Sequence, residues 1–174
     1  MSNFEDLAGQ VAQGALDMAI TFDLGLDATF ERSVLTKAHP NIYVPPADSL
    51  AAVPSVSLVD LEDRPLILFE EGLSIRHMLS LFARRGIRAK VRHRVGSLEV
   101  MRSYAANNEG IGISYSTVQN TQSYDGALVS CVPIADEDAA EDIVIAYRAD
   151  MIEVAPITDV GVRNTAELFG ERYG

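Results

Sequence analysis

The stretch from Asp63 to Leu81, DRPLILFEEGLSIRHMLSL, limits what this chain can fold into more than any other. Leu66-Ile67-Leu68-Phe69 is an apolar run without alternation, the pattern of a strand buried on both faces. Glu70-Glu71-Gly72-Leu73 reads as a tight loop. Ser74 stands where an N-cap belongs, and Ile75, Met78, Leu79 and Phe82 follow at helical spacing. A strand that feeds a helix through a glycine-containing turn leaves backbone N–H groups facing open space, the outline of a small-anion site. Most loops of this kind bind nothing, so the loop alone decides only the local fold.

The pattern continues downstream. Gly86 closes the helix, and from Arg88 to Val95 the chain alternates, with Lys90, Arg92 and Arg94 on one face and Val91, His93 and Val95 on the other. Gly96-Ser97 leads into a helix bearing Leu98, Met101 and Tyr104/Ala105, stopped by Asn107-Asn108-Glu109-Gly110. Ile111–Ser116 is a further strand. Strands and helices therefore alternate from Leu66 to Ser116, which predicts an α/β fold with a mostly parallel sheet.

The flanks read differently. Asn3 to Gly14 is expected to be helical, with Phe4, Leu7, Ala8, Val11 and Ala15 on one face, and Leu16–Phe22 to be a strand. Phe30 to Val44 has strand character up to Pro45-Pro46, and Ser57–Leu61 looks like a short helix opened by Ser57. Asp125-Gly126 marks a turn before the strand-like run Leu128–Ile134; Ile143–Arg148 reads as a central strand. Val162, Ala166, Phe169 and Tyr173 mark an amphipathic helix at the C-terminal end. A first element that is a helix is unusual for a parallel α/β sheet, and the chain reads as if it starts partway through a fold.

With 174 residues, 48% of them hydrophobic, the chain can bury the core of one domain or two small lobes. A net charge of −11 argues against a free-standing nucleic-acid binder. Six of the 14 Lys/Arg fall between Arg84 and Arg94, and five acids crowd Asp136–Asp142. These are either solvated faces or complementary patches, within the chain or between subunits. The single cysteine, Cys131, rules out a disulfide framework and reads as a small buried side chain. The opening MSNFEDLAGQ has neither the charged nor the apolar region of a signal peptide, and no apolar run approaches membrane-spanning length.

Residue-level support for catalysis is missing, so the chain is read as no enzyme, with no cofactor. His39, His77 and His93 have no metal-ligand spacing with Cys131 or the acids, and His93 reads as a partly buried structural histidine. Gly112-Ile113-Ser114-Tyr115-Ser116 is not a nucleophile elbow, and Gly110-Ile111-Gly112 begins a strand rather than opening a dinucleotide-binding helix. What remains is a set of loops after strands: Glu70–Arg76, Gly96–Leu98 and Tyr115-Ser116 after Ile111–Ser114. Parallel topology gathers such loops on one sheet edge, where open α/β folds bind ligands. Two helix N-termini, at Ser74 and Ser97, with Arg76 nearby, would suit a carboxylate. Each serine also has the plain reading of an ordinary helix cap.

The order of segments resembles the effector-binding domain of LysR-type transcriptional regulators. Gly14-Ala15-Leu16-Asp17-Met18-Ala19-Ile20 matches one phrase of that family, Ser57 to Ile67 a second, and Gly110-Ile111-Gly112-Ile113 a third. No phrase is specific alone; their order across Phe4 to about Asp150 is. The resemblance implies two α/β lobes of the type 2 periplasmic-binding-protein kind, joined by two crossovers, with a small effector in the cleft. It assigns residues 1–46 plus 140–174 to a partial first lobe and 47–139 to the second. It also implies an effector-binding set: Thr21, Phe22 and Asp23 from the first lobe, and Gly72, Leu73, Ser74, Ile75, Arg76, Gly96, Ser97, Leu98, Ser114 and Tyr115 from the second.

Departures from the family pattern accompany the match. The winged helix-turn-helix and the opening strand–helix–strand of the first lobe have no counterpart in this sequence, and the proline usual after the Gly-Ile-Gly-Ile strand is replaced around Tyr115-Ser116. The expectation is a cytoplasmic, dimeric effector sensor that takes a small anion and meets DNA only through a domain absent from this sequence. Two alternatives stay open: a truncated regulator that only dimerises, and an extracytoplasmic solute-binding protein of similar fold.

Overall fold

A computed structural model describes residues 4–70, 72–118 and 120–148. The C-terminal helix expected around Val162–Tyr173 lies outside the described residues. The chain divides into two compact units, residues 1–38 with 141–174, and residues 39–140. The chain thus crosses between units at 38–39 and 140–141, where the sequence reading drew its boundaries at 46–47 and 139–140.

In the first unit, helix α1 (Phe4–Ala12) ends before Gly14, whose φ of 73° is the left-handed turn expected of it. Strands β1 (Met18–Phe22) and β2 (Phe30–Ala38) flank β8 (Glu141–Arg148) in an antiparallel sheet, order β1-β8-β2. β8 is central, as its apolar run predicts: Val144, Ile145 and Ala146 are fully buried.

The stretch Phe30–Val44, read as continuous strand character, is in fact two strands in two sheets. Pro40 has no N–H to continue a ladder, and beyond it β3 (Asn41–Val44) joins the second unit. There the sheet order is β5-β4-β6-β3-β7, with β4 (Pro65–Phe69), β5 (Lys90–Val95), β6 (Ile111–Ser114) and β7 (Ser130–Pro133). β4 pairs in parallel with β5 and β6, whereas β3 runs antiparallel to β6 and β7.

Helices α2 (Gly72–Arg84) and α3 (Leu98–Ala106) sit on opposite faces of this sheet. Leu66 and Leu68 pack with Ile75, Met78, Leu81 and Phe82 of α2, while Ile67 packs with Met101 and Ala105 of α3, so β4 is buried on both faces as its sequence predicts. A short 3-10 turn, Leu58–Leu61, is opened by Ser57 in a capping box with Asp60.

The basic and acidic clusters meet in this unit at Arg85, while other basic residues pair with acids outside the acidic run. Arg85 reaches Asp136 at 2.9 Å and also pairs with Asp138; Arg92 lies 3.0 Å from Glu109, and Lys90 pairs with Asp63.

Candidate functional site

The parallel strands β5, β4 and β6 finish on one edge. Phe69 is level with Val95, and Ile67 with Gly112, which brings the ends of all three strands together. β3 starts on the same edge, with Asn41 level with Ser114 and Pro133. Leaving β4, the Glu70 N–H donates to the Val95 carbonyl at 2.9 Å, and α2 begins at Gly72. Leaving β5, the chain passes Gly96 into α3. The sequence-predicted loops of the second unit are therefore neighbours on the sheet edge.

Ser97 is the N-cap expected of it: its backbone is extended, and its hydroxyl accepts from the Val100 N–H at 3.2 Å. The side chain is exposed, so its own O–H is left to solvent or a ligand. Ser74 is not a cap. α2 starts two residues earlier, so Gly72, Leu73 and Ser74 form the first turn, because a short linker suffices to span a strand end and an adjacent helix start. Their backbone N–H groups are first-turn donors, which lack partners inside a helix.

The remaining residues divide. Ile75 is buried in the α2 core and Leu98 packs beside Ile67 and Met101, so both support the edge from beneath. Gly96 and Arg76 are exposed. Ser114 is buried and its hydroxyl accepts from the Ser116 N–H at 3.1 Å. The Tyr115 hydroxyl donates to the Ala139 carbonyl at 2.8 Å. In the first unit, the Asp23 carboxylate lies 3.2 Å from Arg32, whose NH2 group also holds the carbonyls of Leu26 and Asp27. Phe22 closes β1 opposite Ile143. Thr21 is buried, and its hydroxyl has no hydrogen-bond partner among the described residues.

The sequence reading missed Arg102 and Tyr43. Arg102 is 1% exposed; it donates to Glu99 at 2.7 Å, to the Gln122 carbonyl at 3.0 Å and to the Asn120 carbonyl. Its spacing of four from Leu98, on the apolar side of α3, is the one available signal. Tyr43, buried in β3, donates its hydroxyl to the Ser116 carbonyl at 2.5 Å, and burial pushes its pKa up. Cys131 is half-buried rather than buried, because β7 is an edge strand; burial still raises its thiol pKa. His93 is half-buried between Glu109, 3.4 Å away, and the edge of Tyr104. Among the described residues no cluster of three or more His, Cys, Asp or Glu could hold a metal ion, and no helix is long and apolar enough to cross a membrane.

Residues 1–158 match the family described as LysR substrate binding domain. The chain belongs to that family. Its members are effector-binding domains of transcriptional regulators, not enzymes, and have the type 2 periplasmic-binding-protein-like fold to which these two sheets belong.

Solved structures agree. The C-terminal domain of a probable LysR family regulator from Rhodococcus sp. RHA1 is 26% identical, with a TM-score of 0.75 over 84% of this chain and 73% of that one. A putative LysR family regulator from Pseudomonas aeruginosa, 23% identical, aligns over 97% of this chain with a TM-score of 0.86, and this chain spans 62% of its length. The effector-binding domain of QuiR, solved in complex with shikimate, is 21% identical, with a TM-score of 0.78 over 99% of this chain and 80% of that one. No curated protein matches the sequence.

Proposed function

We propose that this LysR-type domain senses a small organic anion and receives it at the edge where β4, β5 and β6 end. The observation that carries this reading is the pair of helix starts on that edge. The first turn of α2 at Gly72–Ser74 and the capped N-terminus of α3 at Ser97 both aim donors and the positive end of a helix dipole past the strand ends. Arg76 adds a cation on the first of these helices. The shikimate bound by QuiR, a hydroxylated carboxylate, is the kind of ligand such donors suit. Thr21, with its unpaired hydroxyl, is the corresponding polar feature of the first unit. On this reading the protein works in the cytoplasm as a homodimer and touches DNA only through another domain.

The test uses Ser97→Asp. Aspartate caps a helix as well as serine does, so the fold should keep its stability, but the added carboxylate repels an anion. Wild-type protein should be stabilised by shikimate or another small carboxylate, by about 2.7 kcal/mol at a hundredfold excess over Kd. Ser97→Asp should melt normally without ligand and lose at least tenfold in affinity by calorimetry. No stabilisation by any small carboxylate, or unchanged binding by Ser97→Asp, would overturn the proposal.

A further inference from the structure

The second unit holds a cleft that the sheet-edge site does not use. It is half open to solvent and offers about 550 Å³, within the span of small-molecule pockets, and is lined by Tyr43, Ala51, Val118, Thr121, Ser130 and Cys131 among others. Tyr43 and Cys131 are register partners, and Val44 is level with Ser130, so the cleft lies along β3 and β7 away from the edge marked by Asn41 and Pro133.

Its far wall is held in place. Arg102 clamps the backbone at Asn120 and Gln122, and the Val129 N–H donates to the Thr121 carbonyl at 2.8 Å. The lining is chemically distinctive. Ala51, Val118, Pro46 and Leu128 present the apolar surface, over the buried Tyr43 ring and Val129, and Thr121 and Ser130 bring hydroxyls to the lining. None of the described lining residues is charged. Arg102 acts electrostatically on Tyr43 and Cys131 from behind the wall, but its charge is matched by Glu99 at Nη1 and its Nη2 is engaged on the carbonyls of Asn120 and Gln122, which leaves its buried Nε alone without a partner among the described residues. A charged ligand would lose its hydration there without a partner. A flat ring would cover the apolar wall and find hydroxyls to bond.

We propose that this cleft is a second small-molecule site, one that takes an uncharged aromatic molecule with one or two hydrogen-bonding groups. It differs from the sheet edge in both place and ligand charge, so either site stands or falls alone.

Cys131, the sole cysteine, lines the cleft and serves as the reporter. N-ethylmaleimide labelling of the whole chain is followed by intact mass, with phenol, indole or benzoate at millimolar concentration. Phenol or indole should slow labelling at least fivefold and raise the melting temperature, whereas benzoate, whatever it does at the sheet edge, should leave the labelling rate unchanged. Ala51→Phe and Ser130→Leu, two independent ways of filling the cleft, should each abolish the melting shift. Four results would overturn the proposal: a thiol that never reacts in the folded chain, labelling indifferent to both neutral rings, equal protection by benzoate, or an undiminished melting shift in a folded filled variant.

Discussion

Replacing Gly112 by alanine should cost about 1–3 kcal/mol, the range for overpacking a close-fitted core. A Cβ at this position would lie 2.6 Å from Cγ of Met101 and 3.3 Å from Cβ of Tyr43. Carbon atoms rest at about 3.5–4.0 Å, so roughly an ångström must be found. Met101 has nowhere easy to go: it is fully buried among Tyr43, Ile67, Val95 and Ala105, and the clash is at Cγ, near the root of its side chain. At about 2–4 °C per kcal/mol for a chain of this size, thermal unfolding should fall by several degrees. Met101→Ala alone should cost about 2–5 kcal/mol by leaving a cavity. In the double variant the new methyl group enters that cavity, so the two losses should sum to less than their separate values by about 1 kcal/mol or more. Denaturant melts of the four proteins measure the coupling. Strict additivity, or a Gly112→Ala protein as stable as wild type, would refute the claim that this glycine exists to let α3 approach β6.

Gly110→Ala should be worse than Gly112→Ala, because Gly110 has φ of 154° and its Cβ would lie 2.8 Å from the Pro65 carbonyl oxygen, a backbone atom that cannot swing aside; equal melting temperatures would contradict this. His77 is held below the ordinary imidazole range, first by burial and then by Arg84. The unfolded chain therefore takes up a proton near pH 6.5 that the folded chain refuses, so stability should be steady above about pH 6.5 and fall as pH drops below it. His77→Gln should flatten that slope in melts run from pH 7.5 to 5.5. Asp136 accepts from the Leu58 N–H at 2.7 Å, the Ser57 hydroxyl at 3.1 Å and Arg85 at 2.9 Å, so Asp136→Ala should cost at least about 2 kcal/mol in urea melts. Arg85→Met should cost less, since it leaves Asp136 two of its donors, and the opposite ranking would count against this account.

The elements around the candidate edge were legible because their signals are local. The unbroken apolar run of Leu66–Phe69, the helical spacing of Ile75, Met78 and Phe82, and the alternation of Lys90–Val95 each report the burial of a single element. Caps are local too: Ser57 and Ser97 satisfy N–H groups only a few residues away. The family also followed from the chain order of such segments, and the match over residues 1–158 agrees. Ser74 shows where local reading stops. Nothing nearby tells a cap from a third helical residue when the preceding loop is short, and the closeness of β4 to α2 sets that length.

What needed the tertiary structure involves partners far apart in the chain. The single-looking strand Phe30–Val44 is split because Pro40 ends one ladder while Tyr43 finds Gly112 and Cys131 in another sheet. Arg102 looks like a surface cation until the carbonyls of Asn120 and Gln122 close over it, and Cys131 is half-open because β7 has no strand beyond it. Periodicity records which face of an element is buried; it carries no record of which distant groups bury it, and the ligand-sized spaces of this protein are bounded by those distant groups.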